Sequence, residues 1–129
     1  MARMPKISAL PPRDVTIIQG PPGCGKTRWA ESLEGAVILP EPNMLLEQFN
    51  STWAGKPIVV VDNVTRKWVA RNQNTLKNII RSSHVGITRK FQSTVVIENT
   101  TAFVFLTDET GIAEFLGPRE ICVTEVPDD

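Results

Sequence analysis

The chain has 129 residues, 41% hydrophobic and 22% charged, which suits one globular domain of ordinary composition. No run approaches the ~20 apolar residues that span a bilayer, and the leading MARMPKISALPP lacks the apolar stretch of a secretory signal. The expected address is therefore the cytoplasm, with no membrane partner. Net charge is zero, 14 basic residues against 14 acidic, so any polyanion contact must come from local charge.

Taken in order, residues 1–13 carry three prolines and read as a loose lead-in to a single domain over 14–129. Asp14 to Gln19 is a short β-branched run ending at a glycine-rich turn, which predicts a strand. A helix is expected from Lys26 to Leu33, stopped by Gly35. Ala36 to Leu39 predicts a second strand, ended by Pro40. Asn43 is placed to cap a helix reaching about Trp53, with Leu45, Leu46 and Phe49 inward and Gly55 as its breaker. Pro57 to Val61 is a continuous apolar run, the pattern of a parallel strand covered on both faces. Leu76, Ile79 and Ile80 have helical spacing within Asn74 to Ser82. Two short strands, Val85 to Phe91 and Thr94 to Glu98, are joined near Gln92. Ala102 to Leu106 predicts another buried strand, Thr110 to Leu116 a short helix, and Ile121 to Val126 a last strand. Strands alternating with helices imply an α/β fold with a mainly parallel sheet.

The strongest motif is GPPGCGKT, residues 20–27. Gly20, Gly25, Lys26 and Thr27 match the spacing G-x-x-x-x-G-K-[ST], with Pro21, Pro22, Gly23 and Cys24 between them and Arg28 following. A strand before the loop and a helix after it are the context in which backbone N–H groups and a helix N-terminus hold nucleotide phosphates. ATP is the expected ligand, with Lys26 on the β- and γ-phosphates and Thr27 on Mg²⁺. Asp62, after PIVVV, is the expected second Mg²⁺ residue, since ligands bind at the carboxyl ends of such strands. Thr107, Asp108 and Glu109 end the next apolar run and would lie beside Asp62 if the two strands are neighbours. The plainer readings are a Gly/Pro turn, an Asp opening a turn, and a polar strand end. Cys24 and Cys122 form no disulfide framework, which suits a reducing compartment.

Charge is uneven along the chain. Arg66, Lys67, Arg71, Lys77, Arg81, Arg89 and Lys90 fall between Asn63 and Ile97, a stretch with no Asp or Glu. Such a segment on a neutral chain is the footprint of a nucleic-acid contact; the plainer reading is a solvated helix face plus a hairpin. Trp68, within RKWVAR, is placed to stack on a base, whereas Trp29 and Trp53 read as core. His84 is the only histidine, so a His-based metal site is not expected.

The order of these pieces resembles the superfamily 3 helicases of small viruses, plasmids and phages, a branch of the AAA+ ATPases, over about residues 14–126. GPPGCGKT is similar to their phosphate loop and VVVDN to their metal-binding strand. LKNIIRSSHVGITRKFQSTVVIENTTAFVFLTDE resembles the helix, basic β-hairpin and sensor strand that follow. GPREICVTEV is similar to their arginine-bearing segment before the last strand. The resemblance implies a five-stranded sheet with the phosphate loop on its central strand and a hairpin inserted before the sensor strand. It also implies a homo-oligomeric ring, or assembly with other replication proteins, whose neighbours complete each ATP site. Arg89 and Lys90 would contact single-stranded DNA or RNA in the pore, and Arg119 would be the finger reaching the next subunit's ATP. The chain departs from the pattern at Asn63, where an acidic residue is usual, and at the sensor, where Thr107 or Asp108 replaces Asn. Hydrolysis is then expected to be weak, or to rely on Asp108, Glu109 or a partner subunit. A small P-loop kinase and a nucleotide-gated binding or inhibitor protein remain the alternatives.

Overall fold

The computed structural model describes residues 13–21, 25–116 and the backbone of 121–125. In chain order the elements are β1 (Val15–Gln19), α1 (Lys26–Glu31), β2 (Ala36–Leu39), a 3₁₀ turn (Pro42–Leu46), β3 (Ile58–Val61), α2 (Arg66–Arg81), β4 (His84–Ile87), β5 (Val95–Glu98), β6 (Ala102–Thr107), α3 (Ala113–Leu116) and β7 (Ile121–Glu125).

The main sheet has the order β2-β3-β6-β1-β7, and all four pairings are parallel. β4 and β5 form a separate antiparallel hairpin. IVVV of β3 and AFVFLT of β6 are buried at every residue, the continuous apolar pattern that a strand needs when both its faces are covered. On one face Ile17, Val59, Val61, Phe103 and Phe105 pack with Trp53, Val69, Leu76 and Ile80. On the other, Ile18, Val60, Val104 and Leu106 pack with Ala30 and, at the margin, Trp29. Each fully buried Val, Leu or Phe contributes about 1.5–3 kcal/mol, so this double-faced sheet is the rigid frame on which everything else sits. Among the described residues no helix is long and apolar enough to cross a membrane.

Several expectations are corrected. The phosphate-loop strand was expected at the sheet centre; the centre is β6, which pairs with both β1 and β3, while β1 lies one position outward because β7 adds only a single strand beyond it. The helix expected from Asn43 to Trp53 is a 3₁₀ turn with Pro42 at its start and an extended residue, Glu47 (ψ 145°), at its end. Asn43 does not cap it; its Oδ1 accepts the Trp68 indole N–H at 2.8 Å. Phe49, expected inward, is 44% exposed. The chain leaves the helical path here and brings Asn50 to the hairpin: Asn50 donates to the Gly86 carbonyl at 2.9 Å and accepts the Thr88 N–H at 2.8 Å.

α2 begins at Arg66, not Asn74. Thr65 caps it by accepting the Trp68 N–H at 3.2 Å, and a kink at Asn72 (φ −114°, ψ 15°) separates its polar first half from the apolar second half. The hairpin strands are shorter than expected, because the chain turns from Arg89 to Gln92 (N–H to carbonyl, 3.2 Å) and Phe91 has φ +63°. α3 starts only at Ala113, two residues after Gly111, whose φ is +83°. α1 ends at Glu31, two residues short of Leu33.

Gly55 shows why the hairpin lies flat on the body. Its φ is +85°, and a Cβ there would meet Ile97 Cδ1 at 3.1 Å and Ile87 Cδ1 at 3.4 Å. Glycine supplies both the left-handed turn and the room for the hairpin's apolar side.

Candidate functional site

The carboxyl ends of β1, β3 and β6 meet at one edge of the sheet. Gly20, just past β1, donates its N–H to the Thr107 carbonyl at 3.1 Å, tying the start of the loop to the end of β6. Gly25 (φ +101°) leads directly into α1, and the Trp29 N–H bonds its carbonyl at 2.9 Å. Pro22, Gly23 and Cys24 lie outside the described residues, as does Arg119. Lys26 donates from Nζ to the Gly20 carbonyl at 2.6 Å and the Pro21 carbonyl at 3.0 Å. Its ammonium is thus folded over the loop between β1 and α1.

Thr27 Oγ1 donates to Asp62 Oδ2 at 3.1 Å. Asp62 Oδ1 accepts the N–H of Asn63 at 2.8 Å, and the Asp62 N–H bonds the Leu39 carbonyl at 2.9 Å. β3 and β6 are adjacent, so Thr107 and Asp108 stand beside Asp62. Lys26, Thr27, Asp62, Asn63, Thr107 and Asp108 line a cavity of about 220 Å³. Thr107 is buried, and its hydroxyl accepts the Glu109 N–H at 3.0 Å; a threonine hydroxyl can donate at the same time.

Glu109 points elsewhere. Its Oε1 accepts the Arg66 N–H at 3.0 Å, so it caps the start of α2, where a carboxylate is favoured by the helix dipole. Arg66 also lies 3.8 Å from Glu114 and 5.7 Å from the centre of the Phe115 ring. Of the two carboxylates that follow Thr107, only Asp108 lines the cavity. Arg28 is exposed on α1 and does not line it.

The donor set suits Mg²⁺. Among the described residues no group of three or more His, Cys, Asp or Glu side chains converges, which leaves a hydroxyl and a carboxylate 3.1 Å apart. Mg²⁺ takes such hard oxygens and completes its shell with waters and substrate phosphates.

The hairpin springs from the opposite edge. Asn99 N–H bonds the Ser83 carbonyl at 2.9 Å and the Ala102 N–H bonds the Pro57 carbonyl at 2.9 Å, at the amino end of β6. The six residues of β6, at ~3.3 Å each, put about 20 Å between that root and the cavity. Arg89 and Lys90 are exposed in the connecting turn. Beside them Phe91 is 95% exposed, and the Lys90 ammonium lies 5.3 Å from its ring centre. Sequence reading missed Phe91 by placing it inside a strand; its signal was an aromatic directly after Arg-Lys. Trp68 is half-buried, its ring edge-on to Phe105 at 6.3 Å, so it supports α2 instead. A larger cavity of about 340 Å³ at the hairpin root is lined by Asn50, Trp53, Ile79 and Val85 without a Lys or Arg.

The model of a family of unknown function, DUF5906, matches residues 18–118. No curated protein matches the sequence. A solved A-form apo structure of the NrS-1 C-terminal region is similar at 25% identity and a TM-score of 0.71, over 88% of this chain and 29% of that one. Another apo structure of the region matches at 26% and 0.69, over 92% and 31%. The chain therefore spans under a third of the length of these relatives. JCV helicase, solved with a bound thiazolopyridine acetamide, matches at 17% and 0.59 over 94% of this chain and 38% of that one, a likeness of fold.

Proposed function

From the premise that this chain belongs to the family of unknown function DUF5906, we propose that it is an ATP-binding, Mg²⁺-dependent ATPase core of the superfamily 3 type, working on single-stranded nucleic acid in replication. The observation that carries the reading is the contact between Thr27 and Asp62, 35 positions apart in sequence, at 3.1 Å in a cavity shared with Lys26. A hydroxyl and a carboxylate meeting beside a lysine, at the carboxyl ends of parallel strands, is the arrangement that phosphate and metal binding require.

The residues take these roles. Lys26 leaves the Gly20 and Pro21 carbonyls for phosphate oxygens, exchanging neutral acceptors for charged ones. Thr27 and Asp62 would hold Mg²⁺, which when bound would supply positive charge against the phosphates. Thr107 donates its hydroxyl proton to an oxygen in the cavity. Asp108 orients the attacking water and takes its proton. Arg119 is proposed as the finger that a neighbouring subunit receives, in a ring or with other replication proteins. Arg89 and Lys90 meet the phosphates of the polymer and Phe91 stacks on a base. The likeness of fold to JCV helicase supports the helicase-type core.

The test is phosphate release from ATP with and without single-stranded DNA or RNA, in the parent and in Asp108→Asn. Turnover stimulated by the polymer and lost in Asp108→Asn is expected. ATP binding with no release under any condition would favour the nucleotide-gated binding protein.

A further inference from the structure

Asn63 stands where the resemblance expects an acid, which invites the view that a base has been lost. Its geometry shows a different job. Asn63 has φ +58°, the left-handed region that Asn enters far more readily than most residues. From there its Nδ2 donates to the Pro40 carbonyl at 3.0 Å, and its own N–H donates to Asp62 Oδ1 at 2.8 Å. The flanking residues are pinned too: Asp62 N–H to the Leu39 carbonyl at 2.9 Å and Val64 N–H to the Leu106 carbonyl at 3.0 Å. The corner after β3 is thereby strapped to β2 on one side and β6 on the other. One Asp62 oxygen is occupied by the Asn63 N–H, and the other is turned to Thr27.

We infer that Asn63 is a positioning residue: its carboxamide strap to Pro40 and its left-handed backbone hold the Asp62 carboxylate toward Thr27 for the metal. This rests on the proposed function. An Asp at 63 tolerates the same backbone and keeps the main-chain N–H but carries no side-chain N–H donor for the Pro40 carbonyl. It would set a carboxylate oxygen against the Pro40 carbonyl and a second anion next to Asp62. Glycine keeps the backbone and removes only the strap. Restoring the acid usual at this position therefore damages the site.

The experiment follows Mn²⁺, in place of Mg²⁺, binding to the ATP-loaded protein by electron paramagnetic resonance. It compares the parent, Asn63→Asp and Asn63→Gly well below the melting temperature of each. Loss of a residue that orients a metal ligand typically weakens the metal by roughly 10–100-fold. Asn63→Asp is expected at 10-fold or more, without a rise in ATP turnover, and Asn63→Gly at a smaller loss. Asn63→Asp with parental Mn²⁺ affinity and raised turnover would overturn the inference while leaving the ATPase reading standing. A parent protein that binds no Mn²⁺ with ATP overturns both.

Discussion

The two edges of the sheet are built differently. At the carboxyl edge the cavity residues are cross-braced: Asp62, Asn63 and Val64 bond to β2 and the residue after it, to β6 and to α1. At the amino edge the hairpin is two strands of four residues, a unit that is marginal in water on its own. It is held by the Asn50 carboxamide, by Asn99, whose Nδ2 donates to the Ile79 and Ser82 carbonyls at 3.1 and 2.9 Å, and by Ile87 and Ile97 over Gly55. Phe91, Val95 and Val96 are exposed on the hairpin. The braced edge keeps a small set of oxygens in fixed geometry, which the proposed metal and phosphate binding would demand. The hairpin presents a cationic, aromatic tip, the part to which the proposed function assigns the polymer.

The contrast breaks hardest at Lys26. Lys26→Ala should lower ATP affinity tenfold or more, on the scale of a charge-assisted hydrogen bond of roughly 1.5–3 kcal/mol. Nucleic-acid affinity in the absence of ATP and the melting temperature should hold, since the ammonium's bonds to the Gly20 and Pro21 carbonyls lie outside the apolar core. Calorimetric titration with ATP measures it, and unchanged affinity sinks the site.

At the other edge, Phe91→Ala should weaken single-strand binding by roughly 1–3 kcal/mol for a lost stacked base, with ATP affinity untouched. Arg89→Ala with Lys90→Ala should flatten the log–log salt dependence by about 1.4, at ~0.7 per phosphate contact. Fluorescence anisotropy with oligonucleotides of several sequences at stepped salt reads both. Parental slopes and affinities would remove the hairpin tip from the interface.

Asn50→Ala removes two hydrogen bonds to β4, at about 1 kcal/mol each. Faster amide exchange confined to residues 84–98, with ATP binding intact, is the expected pattern; exchange spreading into β1 and β3 would show that the two edges are one cooperative unit. The smallest effect is expected from Glu109→Gln. Its carboxylate caps α2, so the change should cost about 0.3–1 kcal/mol of stability and leave turnover near the parent value. Complete loss of turnover would make Glu109 a base after all.

The apolar runs of β1, β3 and β6 were legible as strands, because burial on both faces demands consecutive β-branched and aromatic residues whatever surrounds them, and β2 and β7 were legible as short β-branched runs. The loop residues Gly20, Gly25, Lys26 and Thr27 were legible because their spacing is local, and Asp62 because it ends a buried run. The first half of α2 was not. RKWVARNQ shows only Val69 and Trp68 to the core, and its start depends on Thr65 and on a carboxylate supplied from residue 109. The helix expected after Asn43 failed for the converse reason: apolar spacing was present, but Pro42 and the pull of Asn50 on β4 favoured a turn.

What the chain determined by itself were the elements that local chemistry enforces: the strands of the sheet, the glycine turns, and the types of residue at the site. Only the tertiary structure decided which strand lies at the centre, that Asp108 faces the cavity while Glu109 caps a helix, and that Asn63 straps a corner and Phe91 stands in solvent. Each of those outcomes depends on partners far apart in sequence, 43 positions for Arg66 and Glu109 and 23 for Asn63 and Pro40. A single side chain's direction follows from which carbonyl or N–H the fold brings within 3 Å or so of it, and no local pattern encodes that.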